Sequence, residues 1–372
     1  MKQIQIVPQI YSFENFGEFV RDFQLDNTDL IITNEYIYNP VIAGYGVSCQ
    51  VLFQEKYGEG EPSDTMINAI LEQLEPKRYN RIIAVGGGTI IDIAKVIAVS
   101  GQTKDVNSLY ENMDALKAQH ELIVVPTTCG TGSEVTNIAI VNRQKLGTKQ
   151  GLVSEEMYPR KAVLIPEFIA TLPYKVFATS SIDALIHAME SYLSPLATDY
   201  TKLFSIAAIE AILDGYCKVA EDKSAIGSLG GQFLKASNYA GIAFGNAGCG
   251  TIHAMSYALG GKYHVAHGES NYQFMMPVLE LYKERKPEGA IKDLETVVGR
   301  VLSAEKGQEL QKLKELLEKI LPHKPMKEYG AVPEDIPLFT DSTILNQQRL
   351  LGRSYIPLTR EDVQYLFSGC LA

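Results

Sequence analysis

Short apolar runs recur through the first 165 residues, at 30–33 (LIIT), 49–53 (CQVLF), 81–85 (RIIAV), 122–125 (LIVV) and 162–165 (AVLI). Each is rich in Ile, Val or Leu and bounded by polar or turn-forming residues, which predicts buried strands. Between several of them, over about 36–46, 63–75 and 89–99, the apolar positions recur at helical spacing. Ser63, just after Pro62, stands where its hydroxyl can accept from the first free amides of the second of these helices. Strands alternating with helices predict a mostly parallel sheet covered on both faces. The opening segment MKQIQIVPQI alternates like a strand interrupted by Pro8.

From about residue 174 the strand signal stops. Helices are expected over roughly 174–193, 198–219, 223–243, 250–259, 288–303, 307–320, 340–350 and 359–368, with clear periodicity in LFSIAAIEAIL. The turn signal around Pro173 places the boundary. The expectation is an α/β domain over 1–175 and an all-helical domain over 176–372, consistent with a 372-residue chain too long for one core.

Two glycine-rich loops follow predicted strands in the first domain. In IIAVGGGTIIDIAK (82–95) three glycines separate a strand from a helix. Glycine lets the backbone approach a phosphate, and the helix start presents amides and a positive dipole end to it. Gly86, Gly87, Gly88 and Thr89 are the expected contacts, although the spacing is not the dinucleotide fingerprint GxGxxG. Asp92 and Lys95, one turn apart on the helix, can pair or reach back to the loop. The second loop, TTCGTGSEVT (127–136), offers Thr127, Thr128, Thr131 and Ser133 to sugar and phosphate oxygens.

A formal net charge of −10 argues against nucleic acid or an anionic membrane as partner, so a phosphate-bearing ligand must be held by local devices such as these loops. Five scattered cysteines without a CxxC pair read as a reduced protein, with Cys129 and Cys249 as small neutral fillers of Gly-rich loops. The N-terminus lacks the apolar core of a signal peptide, and no run of about 18 apolar residues exists to span a membrane. A cytoplasmic location is the expectation.

The strongest chemical signal is the placing of the six histidines. Asp183 and His187, in SIDALIHAMESY, are four apart and therefore share one helix face. Carboxylate with imidazole is a ligand pair for Zn²⁺ or Fe²⁺. Glu190 follows nearly one turn later as a residue that could orient a ligand. The segment GCGTIHAMSYALGGKYHVAHGESN (248–271) adds His253 and His267, the latter read as the start of a loop that folds back. His264 and His323 are read as structural, and His120 as a surface residue before a strand.

Together GGGTIIDIAK, PTTCGTGSEVT, DALIHAMESYLSP and VAHGESN resemble the iron-containing (group III) alcohol dehydrogenase family, over nearly the whole chain. The resemblance implies the dehydroquinate synthase-like fold of that family: an N-terminal dinucleotide-binding domain, a helical metal-binding domain, and catalysis in the cleft between them. It implies Asp183, His187, His253 and His267 as metal ligands, with Fe²⁺ favoured by the family name and Zn²⁺ also suited. It places Gly86, Gly87, Gly88 and Asp92 at the cofactor's phosphates, Thr127 and Thr128 nearer adenosine and nicotinamide, and Lys149 near a ribose. The segments ITNEYIYNP, QEKYGEGEPSD, ASNYAGIAFGNAG and HGESNYQF resemble the members acting on 4-hydroxybutyrate and succinate semialdehyde. A homodimer is the family's default.

Two departures from the family pattern stand out. The acidic residue common after the second strand is replaced by Asn34, which can still bond ribose hydroxyls. No cation beside it invites a 2′-phosphate, so NAD is expected over NADP. The second histidine common four positions after residue 253 is Tyr257 here, which therefore becomes a candidate for passing the proton, with His264 or a water chain as alternatives. A substrate carboxylate needs a donor, and Arg143, Lys262, Tyr257, Tyr272 and Asn271 are the candidates. Butanol, lactaldehyde or glycerol as substrate, a dehydroquinate synthase-like cyclase, and a non-catalytic metal- and nucleotide-binding protein are the competing readings.

Overall fold

The computed structural model describes residues 2–75, 78–146 and 148–372. It divides into two compact units, one of residues 6–172 and one of residues 2–5 with 173–372. The break at 172/173 lies three residues before the expected one. Residues 2–5, expected in the first domain, instead belong with the helical unit. The Gln5 amide donates to the Asn246 side chain at 2.7 Å, Asn246 Nδ2 donates back to the Gln5 carbonyl at 3.0 Å, and Thr198 Oγ1 donates to the Gln3 carbonyl at 2.9 Å.

The first unit is built on a six-stranded, fully parallel sheet. Its strands are β1 (Gln9–Ser12), β2 (Asp29–Thr33), β3 (Gln50–Phe53), β4 (Arg81–Gly86), β5 (Glu121–Pro126) and β8 (Lys161–Leu164), in the order β1-β8-β5-β4-β2-β3. Successive side chains enter opposite faces. Leu30, Ile82 and Val124 pack into one buried cluster with the helices α2 (Asp64–Gln73) and α3 (Gly88–Ser100). Ile31, Ile83 and Val125 pack into a second cluster with the helix α1 (Phe16–Phe23). Both faces are covered, which is why the strands read as continuous apolar runs. Ser63 caps α2 as expected, accepting from the Met66 amide.

Three features escaped the sequence reading. The strands β6 (Ile138–Arg143) and β7 (Thr148–Val153) form a separate antiparallel pair. Helix α1 was not anticipated. The helix expected over 36–46 is a succession of short turns, an α turn at Glu35–Ile37, a π turn at Tyr38–Ile42 and a 3₁₀ turn at Ala43–Tyr45. Pro40 removes an amide donor in mid-segment, so a regular ladder cannot run through it.

The second unit is helical: α4 (Tyr174–Leu193), α5 (Asp199–Glu221), α6 (Ile226–Ala247), α7 (Thr251–Tyr263), α8 (His267–Arg285), α9 (Ala290–Leu302), α10 (Glu309–Ile320), α11 (Asp335–Asn346) and α12 (Arg360–Gly369). Helix α4 is central. Nearly every side chain from Phe177 to Leu193 is buried, and α5, α6 and α8 pack around it. Helix α8 corrects the sequence reading, which made residues 267–269 a loop. Residues 268–276 are all buried, so no amphipathic stripe marks the helix, and Pro277 lies inside it.

Candidate functional site

Asp183, His187, His253 and His267 meet in the helical unit. One ligand atom from each lies within 4.8 Å of every other, and all but His267 are fully buried. The local structure explains the meeting. Helix α4 supplies Asp183 and His187 from adjacent turns of one face. Gly248, at φ +80°, turns the chain out of α6, and Gly250 leads into α7, which carries His253 in its first turn. Only three residues, 264–266, link α7 to α8, which opens on His267. Gly268 then lies directly on α4: a Cβ there would stand 2.1 Å from the Thr179 carbonyl oxygen and 3.2 Å from Asp183 Cβ.

His253 Nε2 lies 3.0 Å from His187 Nε2 and 3.7 Å from Asp183 Oδ1, and His267 Nε2 lies 3.8 Å from the same carboxylate oxygen. At their point of approach stands Asn271 Nδ2, 2.7 Å from Asp183 Oδ1, 3.1 Å from His253 Nε2 and 3.2 Å from His267 Nε2. An amide nitrogen has only protons to offer, so what these acceptors attract is positive charge. Asn271 Oδ1 is buried and has no hydrogen-bond partner among the described residues. One carboxylate and three imidazoles converging in a buried place fit a divalent transition metal such as Fe²⁺ or Zn²⁺.

The surroundings fix these side chains. Glu190 Oε2 stands 2.6 Å from His253 Nδ1, and its other oxygen accepts from the Ile252 amide at 2.6 Å. That contact assigns the proton to Nδ1 and leaves Nε2 as the lone-pair atom toward the cluster. Burial disfavours the charged His253 ring, but Cys249 and Glu190 outweigh it and raise its pKa well above the ordinary value, so a metal at Nε2 would bind there by displacing a proton. Burial likewise pushes the Asp183 carboxyl up, and the three imidazoles and Asn271 bring it below the usual range. Glu190, Cys249 and His253 also form a close trio. It shares His253, and the Glu190 contact is a hydrogen bond, so the trio supports the first cluster. Burial raises the Cys249 thiol, in keeping with a neutral filler. The ring of His187 stacks between Phe244 at 4.2 Å and His253 at 4.6 Å. Tyr257, half-buried, has its ring 6.2 Å from that of His267.

In the other unit the two glycine loops lie side by side. Gly86 ends β4, Gly87 caps α3 and Gly88 opens it. Cβ atoms at Gly87 and Gly88 would meet the Thr128 methyl at 3.3 Å and the Thr131 methyl at 2.9 Å, and the Thr127 amide donates to the Gly86 carbonyl at 3.1 Å. The first amides of α3 are therefore presented between two loops of small residues. Thr89 donates to the Gly60 carbonyl. Asp92 does not pair directly with Lys95. Its carboxylate accepts from Ser133 Oγ at 2.8 Å and the Ile140 amide at 2.9 Å, while burial raises its pKa. Lys95, fully buried, donates to Ser133 Oγ, Thr136 Oγ1 and the Ile138 carbonyl, and burial pushes it down to about 8. These two side chains bind α3 to the second loop. Lys149 pairs with Glu61.

Asn34 is buried at the end of β2, and its Nδ2 donates to Glu55 Oε2 at 2.8 Å and Gln54 Oε1 at 3.2 Å. Glu55 was missed in the sequence, because it follows β3, one strand further on. Lys56, beside it, pairs with Glu35 at 3.3 Å.

The proposed carboxylate donors fare unevenly. Lys262 pairs with Asp335. Arg143 bonds Asn107 and Gln150 and lies 4.2 Å over the Tyr110 ring, in the first unit. Tyr272 is buried against His323 at 5.4 Å, and Asn271 is engaged as described. His264 is an exposed left-handed cap of α7. His120 is half-buried, its Nδ1 3.0 Å from the Tyr79 carbonyl, rather than a surface residue.

Two family models match the chain: the iron-containing alcohol dehydrogenase model over residues 5–166 and the C-terminal model of the Fe-containing alcohol dehydrogenase family over 177–371. The 4-hydroxybutyrate dehydrogenase of Clostridium kluyveri is 48% identical over 98% of each chain. Long-chain-alcohol dehydrogenase 1 of Geobacillus thermodenitrificans is 30% identical over 90% of this chain and 89% of its own. The crystal structure of a 1,3-propanediol oxidoreductase superposes with TM-score 0.86 at 21% identity over all of both chains. That of sulfoacetaldehyde reductase from Bifidobacterium kashiwanohense in complex with NAD+ gives 0.86 at 18% identity over 100% and 99%.

Proposed function

The chain belongs to the iron-containing alcohol dehydrogenase family, and from that premise we propose that it transfers hydride between NAD(H) and the pair 4-hydroxybutyrate and succinate semialdehyde. The observation that carries this reading is the buried meeting of Asp183, His187, His253 and His267, in a chain alike along its length to the Clostridium enzyme. These four residues are the proposed holders of one Fe²⁺ or Zn²⁺. When bound, the metal supplies a Lewis acid for the alcohol or carbonyl oxygen and NAD supplies the hydride acceptor.

The chain's own residues do the rest. Glu190 keeps the His253 proton on Nδ1 and so keeps Nε2 available. Stacking on Phe244 and His253 holds the His187 ring. Tyr257 is assigned the passing of the alcohol's proton through its hydroxyl, taking the place of the family histidine. Gly86, Gly87, Gly88 and Thr89, with Thr127, Thr128, Thr131 and Ser133, are proposed to receive the dinucleotide, and Lys149 to lie near a ribose. Asp92 is reassigned from phosphate contact to holding Ser133 and Ile140. Asn34 with Glu55 favours ribose hydroxyls over a 2′-phosphate, which supports NAD over NADP.

No helix among the described residues is long and apolar enough to cross a membrane. We place the protein in the cytoplasm, as a homodimer; five cysteines, none of them in a disulfide, support a reducing compartment. The test is NADH oxidation by protein purified without oxygen, offered succinate semialdehyde, butyraldehyde or lactaldehyde, with NADPH in parallel. Preference for succinate semialdehyde with NADH, abolished by chelation, is expected. Equal turnover of the neutral aldehydes removes the substrate, and full turnover without metal removes the role of the four ligands.

A further inference from the structure

Resting on that reading, we propose that Arg353 is the residue that binds the substrate's carboxylate. Of the five arginines in the helical unit, Arg285, Arg300 and Arg360 pair with Asp362, Glu210 and Asp341. Arg349 is exposed. Arg353 is half-buried, and among the described residues its guanidinium has no carboxylate, carbonyl or aromatic partner. Burial first and Arg349, one turn away, second make it harder to keep charged, while Cys249 works the other way. A half-buried cation with no carboxylate paired to it among the described residues calls for an anion.

Its place in the fold says which anion. The guanidinium lies against Gly248, where a Cβ would stand 2.3 Å from Nη1. Gly248 is followed by Cys249, whose sulfur lies within 4.8 Å of a His253 ring nitrogen. The segment is anchored there: Ser354 Oγ and Thr251 Oγ1 are 2.6 Å apart, and the Tyr282 hydroxyl donates to Thr251 at 2.7 Å. Arg353 is thus joined to the His253 ring of the cluster through two successive residues, Gly248 and Cys249. An extended 4-hydroxybutyrate separates its hydroxyl from its carboxylate by roughly 5–6 Å, and in this proposal it spans from the cluster to this guanidinium. Phe244, Cys249, Leu350, Leu351 and Tyr257 group nearby as an apolar patch suited to the methylenes between.

The experiment compares wild type, Arg353→Gln and Arg353→Lys, each purified with its metal and checked for metal content. It reads kcat/KM for succinate semialdehyde and butyraldehyde, and inhibition by butyrate. In R353Q the ratio of the two kcat/KM values should fall about 100-fold, through KM for the acid, with butyrate inhibition lost and R353K partly restoring both. A wild-type preference that survives R353Q overturns the assignment alone. A loss that falls equally on both aldehydes and on the KM for NADH also overturns it, and gives Arg353 to the dinucleotide. A wild type with no preference overturns the substrate reading together with this proposal.

Discussion

Replacing Gly268 by Ala tests how the metal cluster is assembled. Ordinary contact begins near 3.4 Å and the new Cβ would stand 2.1 Å from the Thr179 carbonyl oxygen, so α8 must retreat by 3.4 − 2.1 = 1.3 Å or α4 must deform. The obstacle is backbone, which cannot rotate away. Overpacking of this kind costs about 1–3 kcal/mol, of which roughly 0.5–1 is returned because Ala favours a helix over Gly. A net loss of about 1–2 kcal/mol corresponds to a melting point lower by roughly 2–8 °C. The retreat also carries His267 away from Asp183. Metal–ligand distances tolerate only about 0.2 Å, so affinity should fall by at least the 10–100-fold typical of a disturbed ligand. Gly261→Ala is the control. It lies exposed near the end of α7 with nothing within 4 Å of its would-be Cβ, and should be neutral or slightly stabilising. The assay is metal content after competition with a chelator, beside thermal unfolding of the metal-free proteins. G268A that binds metal and melts as wild type does would refute the idea that helix contact seats His267.

Glu190→Gln sets an amide N–H against either the Ile252 amide or His253 Nδ1–H, so metal affinity should drop about 10–100-fold; an unchanged chelator midpoint would count against the orienting role. Lys95→Met removes a lysine whose folded pKa, about 8, lies below its ordinary 10.5. The unfolded chain binds the extra proton between those values, so this residue's penalty is full below pH 8 and disappears as pH rises toward 10.5. The stability of wild type relative to K95M should therefore climb across that window by up to about 3 kcal/mol, and a flat difference from urea unfolding would remove the buried-charge account. Asp29→Asn leaves Arg81 without the carboxylate it meets at 2.6 Å, and a loss of about 2–4 kcal/mol is expected in the same measurement; a loss under about 0.5 would mean that solvent already screens the pair.

The central strands and α4 were legible because their residues are buried in a manner that leaves a sequence trace. Isoleucines and valines in short runs mark strands covered on both faces, and Asp183 with His187 at one-turn spacing marks a shared helix face. Helix α8 left no such trace. Its start is polar yet buried, since Glu269, Asn271 and Gln273 pack inside, and Pro277 suggests a break. The β6–β7 pair carries polar residues at Asn142, Lys149 and Gln150 and alternates weakly. Within the candidate site, residue types pointed to the four side chains that the fold brings together, Asp183, His187, His253 and His267. Asn271 among those side chains, Glu55 on Asn34 and Arg353 on Gly248 are juxtapositions of distant segments that no local spacing encodes.

Residues 2–5 close against a part of the chain far from them in sequence. Gln5 meets Asn246, 241 positions on, and Gln3 meets Thr198. At about 5–20 residues per second, Gln5 waits roughly 12–48 s for its partner to be synthesised. The α/β unit of residues 6–172 can by then have left the exit tunnel whole. Residues 2–5 thus settle only after the whole α/β unit that follows them has been made, and a substitution in them would burden the helical unit rather than the parallel sheet beside them in sequence.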